Sequence, residues 1–156
     1  MDTPASRKQL EQLADEVFEL IKLISTARAR AEATEPEELS ETEFVALDIL
    51  TKHKSLTVGD IQKEIGILPA QMSRVIRSLE NKSSRPMVQC SINEMDRRKV
   101  DVQLTDAGRA AHERYQAARR ASSLQFLQHL RKEDRDIFMR IIRSFRKELA
   151  DRLKVE

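Results

Sequence analysis

Two stretches of this sequence concentrate groups suited to a polyanion. Asp96-Arg97-Arg98-Lys99 sets three positive charges in a row beside one carboxylate, and Ala70, Gln71, Ser73, Arg74 and Arg77 fall on the outward side of one helical pattern. Guanidinium forks bind phosphate oxygens and the acceptor edge of guanine, and a glutamine amide pairs with adenine, so these residue types suit phosphates and base edges. Catalytic chemistry is poorly supplied by comparison. His53, His112, His129 and the single cysteine, Cys90, are dispersed without metal-ligand spacing, and the carboxylates are scattered along helix surfaces. With no nucleophile elbow and no glycine-rich phosphate loop, no enzyme activity, catalytic residue, cofactor or metal is expected.

These groups need elements to position them, and the apolar pattern outlines those elements. From Gln9 to about Ala31, Leu10, Leu13, Ala14, Val17, Leu20, Ile21 and Ile24 recur at three and four, the stripe of a long amphipathic helix. Glu35-Pro36 breaks it, and Ser40-Glu41-Thr42-Glu43 has capping-box spacing for a second helix that carries Phe44, Leu47 and Leu50 to about Lys52. Thr57-Val58-Gly59-Asp60 opens a third, ending near Ile65 with Gly66 just past it. Only Gly66-Ile67-Leu68 separates this end from Pro69, which suits a first helical position. The spacing predicts a helix from Pro69 to about Lys82 that buries Met72, Val75, Ile76 and Leu79.

After Ser83-Ser84-Arg85-Pro86 the period shortens to two. Val88, Cys90 and Ile92 alternate with Gln89 and Ser91, and Val100, Val102 and Leu104 with Asp101 and Gln103, which predicts two half-buried strands joined by a basic tip at residues 93–99. Thr105 caps a fifth helix from Asp106 to about Leu130, frayed around Ser122-Ser123. A last helix from about Glu133 to Leu153 is expected to bury Ile137, Phe138, Ile141, Ile142, Phe145 and Leu149.

Charge is divided along the chain. Residues 1–50 hold 5 basic and 12 acidic side chains, 51–110 hold 11 and 7, and 111–156 hold 12 and 7, so the positive middle segment contains both candidate stretches. With 35% charged residues, three glycines and four prolines in 156 residues, long amphipathic helices are favoured over sandwiches or barrels. No apolar run approaches the roughly 18 residues of a membrane helix, and one cysteine excludes a disulfide framework. A cytoplasmic location and no membrane partner are expected.

Three helices, a tight turn, a fourth helix and a basic hairpin make the order of a winged helix-turn-helix. The fold expected is mainly α with a minor β component, one domain over 1–156. Residues 39–105 would form the winged lobe, and the long helices of 1–34 and 106–156 a dimerisation lobe. A major groove about 12 Å wide admits one helix, and an arginine-bearing hairpin can reach an adjacent minor groove. Double-stranded DNA and a second copy of the chain are the partners this implies, with half-sites about 34 Å apart in a pseudo-palindrome.

The residues also resemble the MarR family of winged-helix regulators. Leu39-Ser40-Glu41-Thr42-Glu43-Phe44 with Leu47 and Leu50 looks like its second helix, and Leu56 to Ile61 with Ser73 to Glu80 is similar to its helix-turn-helix. Asp96-Arg97-Arg98, then Leu104-Thr105 and Gly108, resembles its wing signature. The resemblance implies a DNA-binding transcriptional regulator, a repressor, that works as a homodimer and is released by a small aromatic or phenolic effector or by an oxidant. It also implies that Arg98 enters the minor groove while Asp96 orients it by a salt bridge. The sequence departs from the family pattern at Leu68, where a serine cap is usual, at Cys90, where an arginine often stands, and in the longer, glycine-free Lys82 to Val88 segment.

Competing assignments are open for several residues. Gln71, Ser73, Arg74 and Arg77 read either base edges or phosphates, and Arg97 and Lys99 meet phosphate or water. Cys90 reads as a small buried hydrophobe rather than a redox switch, the histidines as satisfied or solvated, and Met72, Phe126 and Phe138 as core rather than pocket lining. A winged-helix interaction module that has lost specific DNA binding is the alternative function.

Overall fold

The computed structural model describes residues 6–34, 38–82 and 85–153. The expected break at Glu35-Pro36 and the Ser83-Ser84 pair therefore lie outside the described residues. The chain divides into two compact units, Met1–Ser40 and Glu41–Glu156.

The first unit contains α1 (Arg7–Thr34), whose 28 residues extend a little past the predicted ends. Its apolar stripe is present as expected, with Leu10, Leu13, Val17, Phe18, Leu20, Ile21 and Ile24 all exposed.

The second unit runs α2 (Glu41–Thr51), β1 (Leu56–Thr57), α3 (Val58–Ile65), α4 (Pro69–Asn81), β2 (Val88–Ile92), β3 (Val100–Leu104), α5 (Asp106–Leu127) and α6 (Lys132–Leu153). Its core gathers Ala46, Leu47, Ile49 and Leu50 of α2, Ile61 of α3, Met72, Val75, Ile76 and Leu79 of α4, and Met87, Val88, Val102, Ala111 and Tyr115. The inward set predicted for α4 is correct at all four positions. The predicted two-stranded hairpin is a three-stranded antiparallel sheet of order β1-β3-β2. Leu56 pairs with Val102, and β2 pairs with β3 from Val88↔Leu104 to Ile92↔Val100. β1 has only two residues, too short for alternation to declare it, and becomes a strand through its partner.

Local chemistry sets the turn between α3 and α4. The Thr57 hydroxyl accepts the Asp60 N–H at 3.1 Å and donates to the Asp60 carboxylate at 2.6 Å, capping α3. At the other end Gly66 adopts φ 76°, a left-handed conformation that an L side chain disfavours, and its N–H donates to Gln62 O at 3.0 Å. The Gln62 side-chain amide then donates to Ile67 O at 2.7 Å, so the three-residue connection is held from within.

The peptide of Met87 joins α4 to the β2–β3 hairpin and to α5. Its N–H donates to Leu79 O at 2.9 Å, and its carbonyl accepts the Thr105 N–H at 3.2 Å. Thr105 in turn caps α5, accepting the Gly108 N–H at 3.1 Å and donating to Pro86 O at 2.6 Å. A β-carbon on Gly108 would lie 2.0 Å from the Met87 carbonyl oxygen, so only glycine lets α5 approach this closely.

α5 packs on α2 through one polar pair and an aromatic stack. His112 is buried and its Nε2 lies 2.9 Å from Asp48 Oδ1, which also leaves Asp48 Oδ2 to accept from Lys52 Nζ at 2.8 Å. Partial burial pushes the Asp48 carboxyl upward, but hydrogen bonds from Lys52 and His112 outweigh it and hold the group below the usual carboxylate range. Phe44 stacks on His112 and on Tyr115, with centroids 4.9 and 4.4 Å apart. α5 passes unbroken through Ser122 and Ser123, whose hydroxyls donate to the carbonyls of Ala118 and Arg119, and ends at Leu127 rather than near Leu130.

The burial expected for the last helix is not found. No residue of α6 is buried; Ile137, Phe138, Ile141, Ile142, Phe145 and Leu149 all remain exposed. Periodicity had identified the face correctly but carried no information about its cover. Replacing Gly108 with alanine should shift the denaturant unfolding midpoint downward by about 1–3 kcal/mol of stability or more, the usual range for overpacking; a midpoint equal to wild type would show that this approach is not needed.

Candidate nucleic-acid interface

The outward side expected of α4 is exposed: Ala70, Gln71, Ser73, Arg74 and Arg77 all face solvent, opposite the buried Met72, Val75, Ile76 and Leu79. Pro69 occupies the first turn, and the N-cap, Leu68, makes no side-chain hydrogen bond to the helix. Its carbonyl instead accepts from the N–H groups of Gln71 and Met72, each at 3.0 Å. The Ser73 hydroxyl donates back to Pro69 O at 3.0 Å, leaving its oxygen lone pairs outward.

The far end of α4 is anchored by a group the sequence pattern placed elsewhere. Glu43, expected to serve a local capping box, is buried; its Oε1 accepts from Ser78 Oγ at 2.6 Å and its Oε2 pairs with Lys82 Nζ. This ties α2 to the last turn of α4. The partners lie 35 and 39 residues away in sequence, beyond the reach of any spacing rule.

The wing tip is organised by short side chains acting on its own backbone. Asn93 Oδ1 accepts the N–H groups of Met95 at 3.0 Å and Asp96 at 2.8 Å, and its amide donates to both carboxylate oxygens of Asp101 at 2.9 and 3.0 Å. Lys99 N–H closes the turn on Asp96 O at 2.9 Å. Asp96 Oδ1 accepts from the backbone N–H of Arg98 at 3.1 Å and from its guanidinium Nε at 3.2 Å. Those two hydrogen bonds, the backbone one foremost, hold the Asp96 carboxyl below its ordinary range, so it stays ionised beside the guanidinium. The Arg98 side chain is nonetheless 91% exposed, tethered at Nε with its terminal nitrogens outward. Arg97 and Lys99 are exposed beside it. Asn93 and Asp101 were absent from the expected site; the signal available for Asn93 was its place at the head of a turn, where asparagine commonly bonds the backbone two residues on.

The remaining candidates separate cleanly. Met72 is core, whereas Phe126 and Phe138 are exposed within this chain and are not. His53 and His129 are exposed, and His112 is satisfied by Asp48. Among the described residues no group of His, Cys, Asp and Glu is placed to hold a metal ion, and no helix is long and apolar enough to cross a membrane. Cys90 is partly buried but does not share one buried face with Val88 and Ile92 as alternation suggested, because Ile92 lies beyond the body of the lobe and is exposed. Burial pushes the Cys90 thiol up to about 12, helped by a hydrogen bond to Glu80 and by that carboxylate's charge.

A helix-turn-helix whose second helix presents a polar, basic face, followed by a hairpin with an arginine at its tip, defines a winged helix-turn-helix protein. Residues 39–100, spanning α2 through the wing tip, match the sequence model of the MarR family. The chain is 28% identical over 123 residues to the uncharacterised HTH-type transcriptional regulator YwhA of Bacillus subtilis, covering 79% of this chain and 86% of that one. It is 29% identical over 103 residues to the HTH-type transcriptional repressor MdtR of the same species, covering 66% and 64%. Among solved structures, YusO of B. subtilis superposes with a TM-score of 0.71 at 26% identity, over 92% of this chain and 99% of that one. The relatives matched by sequence are thus named as transcriptional regulators.

A thiol raised to about 12 is almost wholly protonated at pH 8, with a thiolate fraction on the order of 10⁻⁴ against about a tenth for a group at 9.0. Alkylation of Cys90 by iodoacetamide in the folded protein should therefore run far slower than in urea and show no inflection below pH 10. Because the folded value lies above the unfolded one, this contribution to stability is complete below pH 9 and declines above it. Rapid alkylation at pH 7 would overturn the assignment of Cys90 as inert.

Proposed function

We propose that the protein is a sequence-specific DNA-binding transcriptional regulator, acting as a repressor and not as an enzyme. In this reading it resides in the cytoplasm and binds a pseudo-palindromic site on double-stranded DNA as a homodimer. The observation that carries this reading is the wing tip: Arg98 is held at one nitrogen by an ionised Asp96 and projects its remaining donors into solvent. A guanidinium restrained in this way loses less freedom on entering a narrow minor groove than an untethered one. Recognition would fall to Ala70, Gln71, Ser73, Arg74 and Arg77 in the major groove, with Arg97 and Lys99 on phosphates.

Homodimer formation is supported by the apolar stripes of α1 and α6, which face solvent in the single chain. Side chains as large as Phe18, Ile137, Phe138 and Phe145, repeated at helical spacing, form more exposed apolar surface than a monomer usually carries. The whole chain would then act as one domain, 39–105 reading DNA and 1–34 with 106–156 pairing two copies. Release by a small aromatic or phenolic effector completes the proposal and rests on the family resemblance alone.

The direct test is to incubate the protein with fragmented DNA from its own genome at about 150 mM salt and sequence what is retained. Enrichment of a few pseudo-palindromes with half-sites one helical turn apart is expected. On such a site, neutralisation of 6–10 phosphates should lower affinity by roughly 10³–10⁵ between 50 and 200 mM salt. Arg98→Ala should weaken binding by about 5- to 100-fold while leaving the oligomeric state unchanged; equal affinity would remove the wing from the mechanism. Absence of any enriched site would favour the interaction-module alternative. Analytical ultracentrifugation should give a dimer, and Phe145→Glu should shift it toward monomer; a monomeric wild type would refute the pairing of these helices.

A further inference from the structure

The DNA-facing side of the winged lobe is not only polar. Between residues 41 and 104, the three most exposed large apolar side chains are Met95 (95%), Leu68 (73%) and Ile92 (68%), and all three lie on the turn and wing that flank the basic groups. Leu68 stands at the leading end of the recognition helix. The cap position it occupies usually holds a polar side chain that bonds the first free amides, yet here the side chain bonds nothing and points to solvent.

Its backbone is fixed on both sides. Gly66 turns the chain, Gln62 holds the Ile67 carbonyl, Leu68 O accepts two helical amides, and Pro69 restricts the angle that follows. An isobutyl group is thus held rigidly beside Ala70 and Gln71, on the end of the helix whose residues meet base edges in helix-turn-helix proteins. The apolar feature of the major groove is the C5-methyl of thymine.

We propose that Leu68 is a specificity-determining residue that packs on a thymine methyl in each half-site. This rests on the DNA-binding reading above and adds to it a named base feature. The contact selects thymine over cytosine without a hydrogen bond, by removing a methyl and an isobutyl group from water together.

The test substitutes deoxyuridine for thymidine, one position at a time and symmetrically in both half-sites, within the genomic fragment most enriched by the protein. Deoxyuridine removes only the methyl group. For the wild type, one position should weaken binding by about 4-fold per half-site, the worth of one buried methyl. Leu68→Ala should bind the unsubstituted site more weakly and be indifferent to deoxyuridine at that position, while Leu68→Met, which retains an apolar side chain, should keep part of the sensitivity. Circular dichroism and the salt slope of binding, which report folding and phosphate contacts, should be unchanged in both variants. Wild-type affinity insensitive to every substitution, or sensitivity that persists undiminished in Leu68→Ala, would overturn the proposal while leaving the regulator reading intact. Failure to retain any specific fragment would overturn both.

Discussion

Everything the winged lobe does depends on how closely two backbones meet at Met87 and Gly108. The Met87 peptide receives the end of the recognition helix through its N–H and the start of α5 through its carbonyl, and the wing begins at the next residue. Space for one carbonyl oxygen, made by the missing side chain of Gly108, allows these three elements to converge. Thr105 serves the same point, since its hydroxyl caps α5 and fastens the strand entrance at Pro86. Thr105 and Gly108 are thus joinery, and the proposed recognition chemistry falls to residues on either side of this junction.

Around that junction, two carboxylates shape the basic wing tip. The wing has three consecutive basic residues, yet Asp96 and Asp101 are built into the same loop. One aligns Arg98 and the other fixes Asn93, so the carboxylates spend their hydrogen-bonding capacity on geometry. Such a loop can be rigid before DNA arrives, which limits the entropy that binding must overcome. The recognition helix is handled differently: its restraint comes from the buried Glu43 at its far end, away from the groove-facing side chains.

Much of this was legible in the sequence because it is governed by short-range rules. Thr57 and Thr105 cap helices, Gly66 turns left-handed, Pro69 starts α4, and Met72, Val75, Ile76 and Leu79 face inward, all within a turn or two of the residues that signal them. What escaped was long-range. β1 exists by pairing with β3, Glu43 finds Ser78 and Lys82 across the lobe, and His112 finds Asp48 from 64 residues away. The stripe on α6 marks an intermediate case, in which period revealed the face but burial needs a second surface that period does not describe. At the site, the basic side chains were legible by type and spacing, whereas Asn93 and Asp101, which shape the loop beneath them, were hidden among ordinary hairpin residues.

The two sides of α4 have separate duties. Met72, Val75, Ile76 and Leu79 hold the core, while the side chains of Gln71, Arg74 and Arg77 make no hydrogen bond or ion pair to other described residues. A mutation on the outer side therefore leaves the folding scaffold untouched, and most surface changes of this kind alter stability by no more than about 0.5 kcal/mol. If these positions read bases as proposed, drift there is free to explore new base preferences without first passing through unfolded intermediates. On the proposed function the helix is an exchangeable reading head on a fixed mount, and a lineage of such proteins would diversify its target sites faster than its architecture.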